Sequence, residues 1–479
     1  MSVGILGCLA LTGTTLIYYS NTSLRSAAYS GADTGSYGLA ETGINEMMAV
    51  LSRPENNALN KYLLGYRADG TIVPTLSRYE TGTVEWWGTL DEASAVWSLT
   101  SIGRTKNPAG AGLSEIRRKL TAKVPVTPTL TQPLNNPAWN YIYSARTGST
   151  CDMTLQQSVV LRSPLYVQGN LCLENSAAIK SGPLVVKGKL TLAQSANAVG
   201  SAAAPINEAQ IGGGCQWKNS PWHATCSSAD NVHATILDSS ATQITPPTVN
   251  WDAWYLNASP GPYYPCLAPS GAVPIFDNDQ GSAAAPNLAK RNFSLVNPFN
   301  VTPTGSYTCR TAGGELSWNA STHVLTIRGT IFIDGSAYIQ NGAVNTYQGQ
   351  GTIYLSGTFL LKNSTLCAHL ASGGATCDTA GWDPNANVLV VVANGPGGIQ
   401  VPTGDSIQVV SSTYQGALYG TNAVEIDTTA QAIGPIVGST VYLGQSTATS
   451  FPSLTIAPAG MPGSPVIFAQ PNPPQLYGG

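Results

Sequence analysis

The chain is predicted to be α+β and mostly β, with one long N-terminal helix followed by a parallel β-helix of stacked coils. Two observations predict this. The front is uncharged and apolar and continues into an amphipathic pattern, and the body carries an internal repeat with a glycine at its centre. Composition agrees: charged residues make up 10% of the chain, against about 25% in ordinary globular proteins. Gly, Pro, Ser, Thr and Asn are abundant, which favours many short strands and turns. A net charge of −3 over 479 residues supplies no basic field, so nucleic acid is not an expected partner. Length alone allows two or three domains.

The first twenty-four residues carry no charge, and from Val3 to Tyr19 they are apolar or small. As a helix rising ~1.5 Å per residue this run reaches roughly 25 Å, near the lower limit for a hydrocarbon core of about 30 Å. It is therefore expected to be a single-pass membrane anchor. A cleaved signal peptide fits less well, because no basic n-region and no clean small-x-small cleavage site are present and the helical pattern continues. Gly4, Gly7, Ala10 and Gly13 recur three apart and give a small-residue edge for close approach of a neighbouring helix; Leu9 and Leu16 belong to the same run. Between Ser23 and Ser52, Tyr37, Ala40, Ile44, Met47 and Leu51 recur at spacings of three and four, which sets them along one helical stripe. That stripe calls for a soluble domain to pack against.

Ala40-Glu41-Thr42-Gly43-Ile44 resembles the Ala-Glu-x-Gly signature of PilX-type minor pilin and pilus-assembly proteins, at the expected distance behind the apolar run. Gly82–Trp87, Ala95–Gly103 and Arg117–Val126 resemble the short antiparallel strands that follow the helix in that group. The resemblance covers roughly the first quarter of the chain. It implies a helix that inserts in a filament bundle, a small antiparallel sheet behind it, and other pilin or pilus-assembly subunits as partners. It also makes Glu41 a candidate for an intersubunit ion pair, with Arg25 the nearest partner type, and Gly43 and Ile44 candidates for assembly. The family's basic leader, ending at Gly before Phe or Met, is not found ahead of the run. Either Met1 is an internal start or the usual prepilin peptidase does not process this protein. No Lys or Arg precedes the run while Arg25 follows it, which taken literally would invert the topology; the cysteines argue instead that the body lies outside.

Nine cysteines occur. Cys8 belongs to the anchor, leaving Cys151, Cys172, Cys215, Cys226, Cys266, Cys309, Cys367 and Cys377 in the body. No C-x-x-C is present, and the four histidines do not fall into zinc spacing, so no metal site is expected. Bridges between nearest neighbours in an oxidising compartment fit better. Cys215 to Cys226 and Cys367 to Cys377 each flank a short loop that a bridge would pin.

The body repeats the phrase apolar-x-apolar-x-Gly-x-apolar-x-apolar at Leu165–Leu173, Leu184–Leu192, Ile331–Ile339 and Ile353–Leu361, offset by 19 residues in the first pair and 22 in the second. Period-two alternation puts apolar residues on one face of a strand, and the central Gly lets the backbone turn a corner. Repeats near twenty residues suggest one coil each. Hairpins would want Asn-Gly or Asp-Gly between strands, whereas Asp334-Gly335 sits inside an apolar alternation. Further coils are expected at Asn387–Val392 and Gly398–Val401. Tyr414–Leu443 resembles bactofilin-like coils, in which a phrase close to Gln415-Gly416-Ala417-Leu418-Tyr419 opens a turn. The expected organisation is an assembly helix over 1–54, an antiparallel β region over 55–126 and a β-helical body over 127–479, interrupted by a Cys- and Trp-rich loop insertion around 195–317.

In that insertion Trp217, Trp222, Trp251 and Trp254 are candidates for a contact surface, because exposed aromatics bury large area at low entropic cost; the alternative is that they cover a small loop core. Catalytic signals are poor. Gly404-Asp405-Ser406 has no matched His motif, Asp277 and Asp279 stand in turn-like sequence, and no Gly-rich phosphate loop links a strand to a helix. No catalytic residue and no cofactor is expected. The expected function is a non-enzymatic, membrane-anchored minor pilin or pilus-assembly and display subunit, with its body at the cell surface. The alternative is a surface-anchored carbohydrate-binding adhesin or polysaccharide-acting enzyme.

Overall fold

The computed structural model describes residues 2–477 except 54–55, 57, 60, 62, 68–70, 92–93, 109–114, 128–130, 134–135, 252–253, 255–297, 311–313, 334, 396–403, 428, 445–447, 450 and 464–469. The described residues are mostly β, with one N-terminal helix, a small antiparallel sheet and a large parallel one. They divide into two compact units, 1–128 with 468–479, and 129–467.

In the first unit, helix α1 (Ser2–Leu51) is followed by strands β1 (Thr75–Tyr79), β2 (Gly82–Asp91), β3 (Val96–Lys106) and β4 (Glu115–Thr127), each antiparallel to the next. The three segments expected to pair do so as β2, β3 and β4. Two C-terminal segments, Gln470–Pro471 and Gln475–Tyr477, return to pair with β4. Alternation along β3 turns Trp97, Leu99, Ser101 and Gly103 toward the helix side, and Ala40, Ile44, Met47 and Leu51 of α1 join Trp97, Leu99, Leu120 and Val124 in one core. Tyr37 departs from the expected stripe and is exposed; Ser36 and Leu39 are buried in its place.

No helix among the described residues is long and apolar enough to cross a membrane. This overturns the expected single-pass anchor and the membrane-anchored localisation that rested on it. The physical reason lies in the run itself. Val3–Tyr19 falls short of the roughly 20 apolar residues that a span needs, and Gly13 and the Thr12, Thr14 and Thr15 hydroxyls dilute it. Those hydroxyls donate to the carbonyls of Cys8, Ala10 and Leu11, one turn back.

The second unit is built from short parallel strands stacked layer on layer. The sequence repeat is its register: Leu184 pairs with Leu165 and Leu190 with Leu171, and Ile353 pairs with Ile331 and Phe359 with Ala337. The repeat glycines stand at corners between strands. The Gly188 N–H donates to Gly169 O, Gly213 to Gly188, Gly357 to Gly335 and Gly395 to Gly357. A Cβ on Gly188 would lie 2.6 Å from Gly169 O, so the corner column has no room for a side chain.

One unbroken column of paired positions runs Ile331, Ile353, Val391, Leu418, Ile436, Ile142, Leu165, Leu184, Ala209, Leu237. Chain order breaks once in this column, where the late Ile436 layer lies on the early Ile142 layer. The stack is thus circularly permuted, with its first and last layers meeting in the middle. It also continues through Ile206–Ile211, Cys215–Trp217 and Ala234–Asp238, so the pattern expected to lapse near residue 195 persists, stretched by the loop between Lys218 and His233.

Candidate functional site

The two halves of α1 have different surroundings. From residue 32 onward the helix lies on the sheet. Arg118 grips Asp33 through Nε and Nη2, each 2.6 Å from a carboxylate oxygen, which holds the Asp33 carboxyl below its usual range. Glu46 accepts from Ser77 Oγ at 2.9 Å and also from Tyr79 OH and Trp86 Nε1; hydrogen bonding to this carboxylate pushes the Tyr79 phenol up. Glycines allow this close approach. A Cβ on Gly43 would press on Ser101 Oγ and Val84, and one on Gly103 would press on Ser36 O and lie 2.6 Å from Ala40 N.

The large described side chains of the front half are exposed. Ile5, Leu9, Leu11, Leu16 and Ile17 are 62–69% exposed, Tyr18 and Tyr19 more so. Space beside Gly13 is open, and Gly4 and Gly7 belong to the same helix. Arg25 and Glu41 are exposed. Of the residues singled out for assembly, Leu9, Gly13, Leu16 and Glu41 therefore lie outside, whereas Gly43 and Ile44 are buried against the sheet and serve its packing.

The tryptophans separate in the same way. Beside the buried column, a second register of outward residues is aromatic or apolar: Phe332, Tyr354, Val392, Tyr419, Val437, Tyr143, Tyr166, Val185. The segment from residue 241 to 251 runs along it, as does Trp254. Lys187 Nζ donates to Ala241 O (2.9 Å), Tyr166 OH to Thr242 O (3.2 Å), Tyr143 OH to Ile244 O (2.9 Å) and Tyr419 OH to Pro247 O (3.0 Å). Trp251 meets Tyr354 edge-on at 5.5 Å and Trp254 stacks on the same ring at 5.4 Å. Trp254 is buried in this core, and Trp251 packs half-buried against it. Trp217 and Trp222 are half-buried beside the Cys215–Cys226 loop, with Lys218 Nζ 4.5 Å from the first ring and Lys189 Nζ 5.0 Å from the second.

A signal for the covered outer register was present in the sequence. Leu165-Tyr166-Val167, Leu184-Val185-Val186, Ile331-Phe332-Ile333 and Ile353-Tyr354-Leu355 are apolar at all three positions, as strands buried on both faces are.

Asp405 and Ser406 are both buried. Ser406 Oγ donates to Gly395 O (2.9 Å) and accepts from Asn422 N (3.0 Å), stapling two backbone segments. Burial and a hydrogen bond to Glu425 push the Asp405 carboxyl up to about 7, while Gln408 Nε2 donates to Glu425 Oε2 at 2.9 Å. Asp277 and Asp279 lie outside the described residues. Cys151–Cys172, Cys215–Cys226 and Cys367–Cys377 form nearest-neighbour bridges, with Cα atoms 5.3–5.5 Å apart. Cys266 lies outside the described residues, and Cys8 is free and exposed. No group of three metal-ligating side chains occurs among the described residues. No family model, no curated protein and no solved structure matches the chain.

Proposed function

We propose that this chain is a non-enzymatic structural subunit of a type IV pilin-like filament, assembled through the front half of α1 and displaying a parallel β-helix as its body. One observation carries the reading. A single 50-residue helix is packed along its second half yet leaves Ile5, Leu9, Leu11, Leu16, Ile17, Tyr18, Tyr19 and Leu24 exposed. Apolar surface of this extent is unfavourable in water at about 25 cal/mol per Å², and it is covered when like helices bundle together. The open edge at Gly13 allows close helix approach, and exposed Arg25 and Glu41 supply opposite charges for pairing between copies. The PilX-type resemblance of residues 40–44 points the same way. A stack of disulfide-pinned layers is a stiff body for such a subunit to carry.

Cys8 is a built-in reporter of this assembly. Oxidation of the full chain by copper phenanthroline is expected to trap Cys8–Cys8 dimers, while sedimentation shows association that rises with concentration. Leu16→Glu combined with Ile17→Glu is expected to abolish both and leave the thermal transitions unchanged. A wild-type chain that stays monomeric and uncrosslinked at about 100 µM, or a double variant that associates equally well, refutes the proposal.

A further inference from the structure

We propose that a groove in the second unit binds a neutral, extended oligosaccharide. The hairpin of Tyr307–Arg310 and Gly314–Asn319 pairs antiparallel with Val324–Ile333, which pairs in parallel with Val344–Gln348. Register brings Thr308, Ser317, Thr326 and Gln348 into one row across four strands. At ~4.8 Å per strand the three steps span about 14 Å. An extended hexose chain advances by a similar step, so about three sugar units fit along the row.

The adjacent register, Tyr307, Trp318, Leu325 and Tyr347, faces the other way and is buried, giving the groove a fixed floor. Tyr307 OH donates to Val301 O at 2.9 Å and Trp318 Nε1 to Pro303 O at 2.8 Å, which locks the rings below. The groove encloses about 640 Å³, inside the range of small-molecule sites.

Its chemistry selects the ligand class. Ser306, Thr308, Ser317, Thr322, Thr326 and Gln348 present hydroxyl and amide groups that both donate and accept. Among the described residues no Lys or Arg lines the groove, and the one carboxylate at its edge, Glu315, accepts from Ser317 Oγ at 3.4 Å and disfavours an anion. Gln348 Nε2 already orients on Thr326 Oγ1 at 2.9 Å. An anionic ligand would want charge-assisted partners, above all Arg. An uncharged, hydroxyl-rich chain is matched by groups of its own kind. Because the aromatic rings stay beneath the surface and water competes for every hydroxyl, the affinity is modest, with Kd on the order of 0.1–1 mM.

The test is calorimetric titration of the full chain with cellohexaose, maltohexaose and chitohexaose, with oligogalacturonate as the anionic comparator. At least one neutral hexasaccharide is expected to bind. Thr326→Arg is expected to weaken it about tenfold and Gln348→Ala about threefold. Thr235→Ala, on an exposed strand at the far end of the layer column, leaves it unchanged. Thermal melting of each variant reports folding, and Gln348→Ala, at an exposed position, serves if Thr326→Arg melts early. The proposal falls if no neutral sugar binds at about 10 mM, if both groove variants bind like wild type, or if oligogalacturonate binds as tightly as the neutral chains.

Discussion

Replacing Asp405 by Asn is expected to stabilise the second unit at alkaline pH and to leave it unchanged in acid. Asp405 is 7% exposed at the start of the strand Asp405–Val410. Its neighbour across the layer is Glu425, which Gln408 holds in place and whose own cross-strand partner is Tyr442. Burial first, and then hydrogen bonding and repulsion from Glu425, raise the Asp405 carboxyl from 3.8 to about 7. The folded chain therefore keeps a proton that the unfolded chain has already released between these two values. Stability from this group is full below about pH 3.8, falls as pH rises through 7, and is flat above. A shift of about three units at ~1.4 kcal/mol per unit bounds the loss at about 4 kcal/mol. Asn keeps the shape, can donate to the Glu425 carboxylate and does not titrate. Urea unfolding of wild type and D405N at pH 4, 6 and 8 measures the difference. It is expected to be near zero at pH 4 and to grow to about 2–4 kcal/mol in favour of the variant at pH 8. A difference that stays constant across pH refutes the account of a retained proton.

Gly103→Ala is expected to destabilise the first unit by about 1–3 kcal/mol, read as a lower calorimetric transition, because its Cβ would push Ser36 and Ala40 of α1 off the sheet. Gly188→Val is expected to do comparable harm to the second unit, because its Cβ would lie 2.6 Å from Gly169 O in the corner column; chemical denaturation followed by circular dichroism checks it. Replacing Cys367 and Cys377 together by Ser opens a loop of sequence separation 10. The expected cost is about 2.5–3 kcal/mol, measurable as a lower denaturant midpoint of the variant than of the wild type, both under non-reducing conditions.

The local periods were legible. Ala40, Ile44, Met47 and Leu51 announced the buried stripe of α1, and the offsets of 19 and 22 announced the register of the stacked layers, because packing repeats when sequence repeats. Tyr37 misled because a long amphipathic ring near the helix surface can keep its edge in water; the true stripe passes through Ser36, a residue that periodicity of apolar side chains does not register. The front of α1 misled differently. Apolar composition was read as a lipid signal, although the run is too short and too rich in Thr and Gly to span. Trp251 and Trp254 were ambiguous because sequence reports size and not surroundings; the partner rings, Tyr354 and Phe332, lie about 80 residues or more downstream. The groove row at Thr308, Ser317, Thr326 and Gln348 was invisible for the same reason, since only strand register assembles it.

The permutation of the layers follows from where the body sits in the chain. Residues 129–467 lie between β4 and the C-terminal strands, and Val126 and Thr127 at the end of β4 pair with Pro471 and Gln470. The chain therefore leaves and re-enters the small sheet at neighbouring points, and a body inserted there needs its own ends together. An unpermuted stack of this height has its ends about 43 Å apart, nine steps of ~4.8 Å. Here the Ile142 layer rests on the Ile436 layer, and Thr131–Pro133 pairs with Ile456–Pro458, so entry and exit run side by side. What permutation requires in exchange is a connection back from the Leu237 layer toward the Ile331 layer. The segment from 241 to 251 begins that return, touching the Val185, Tyr166, Tyr143, Tyr419 and Tyr354 levels in turn. The aromatic outer register and the tryptophans that cover it are thus one solution to one constraint: a returning segment needs an apolar track to lie on, and the track needs a segment to keep it dry.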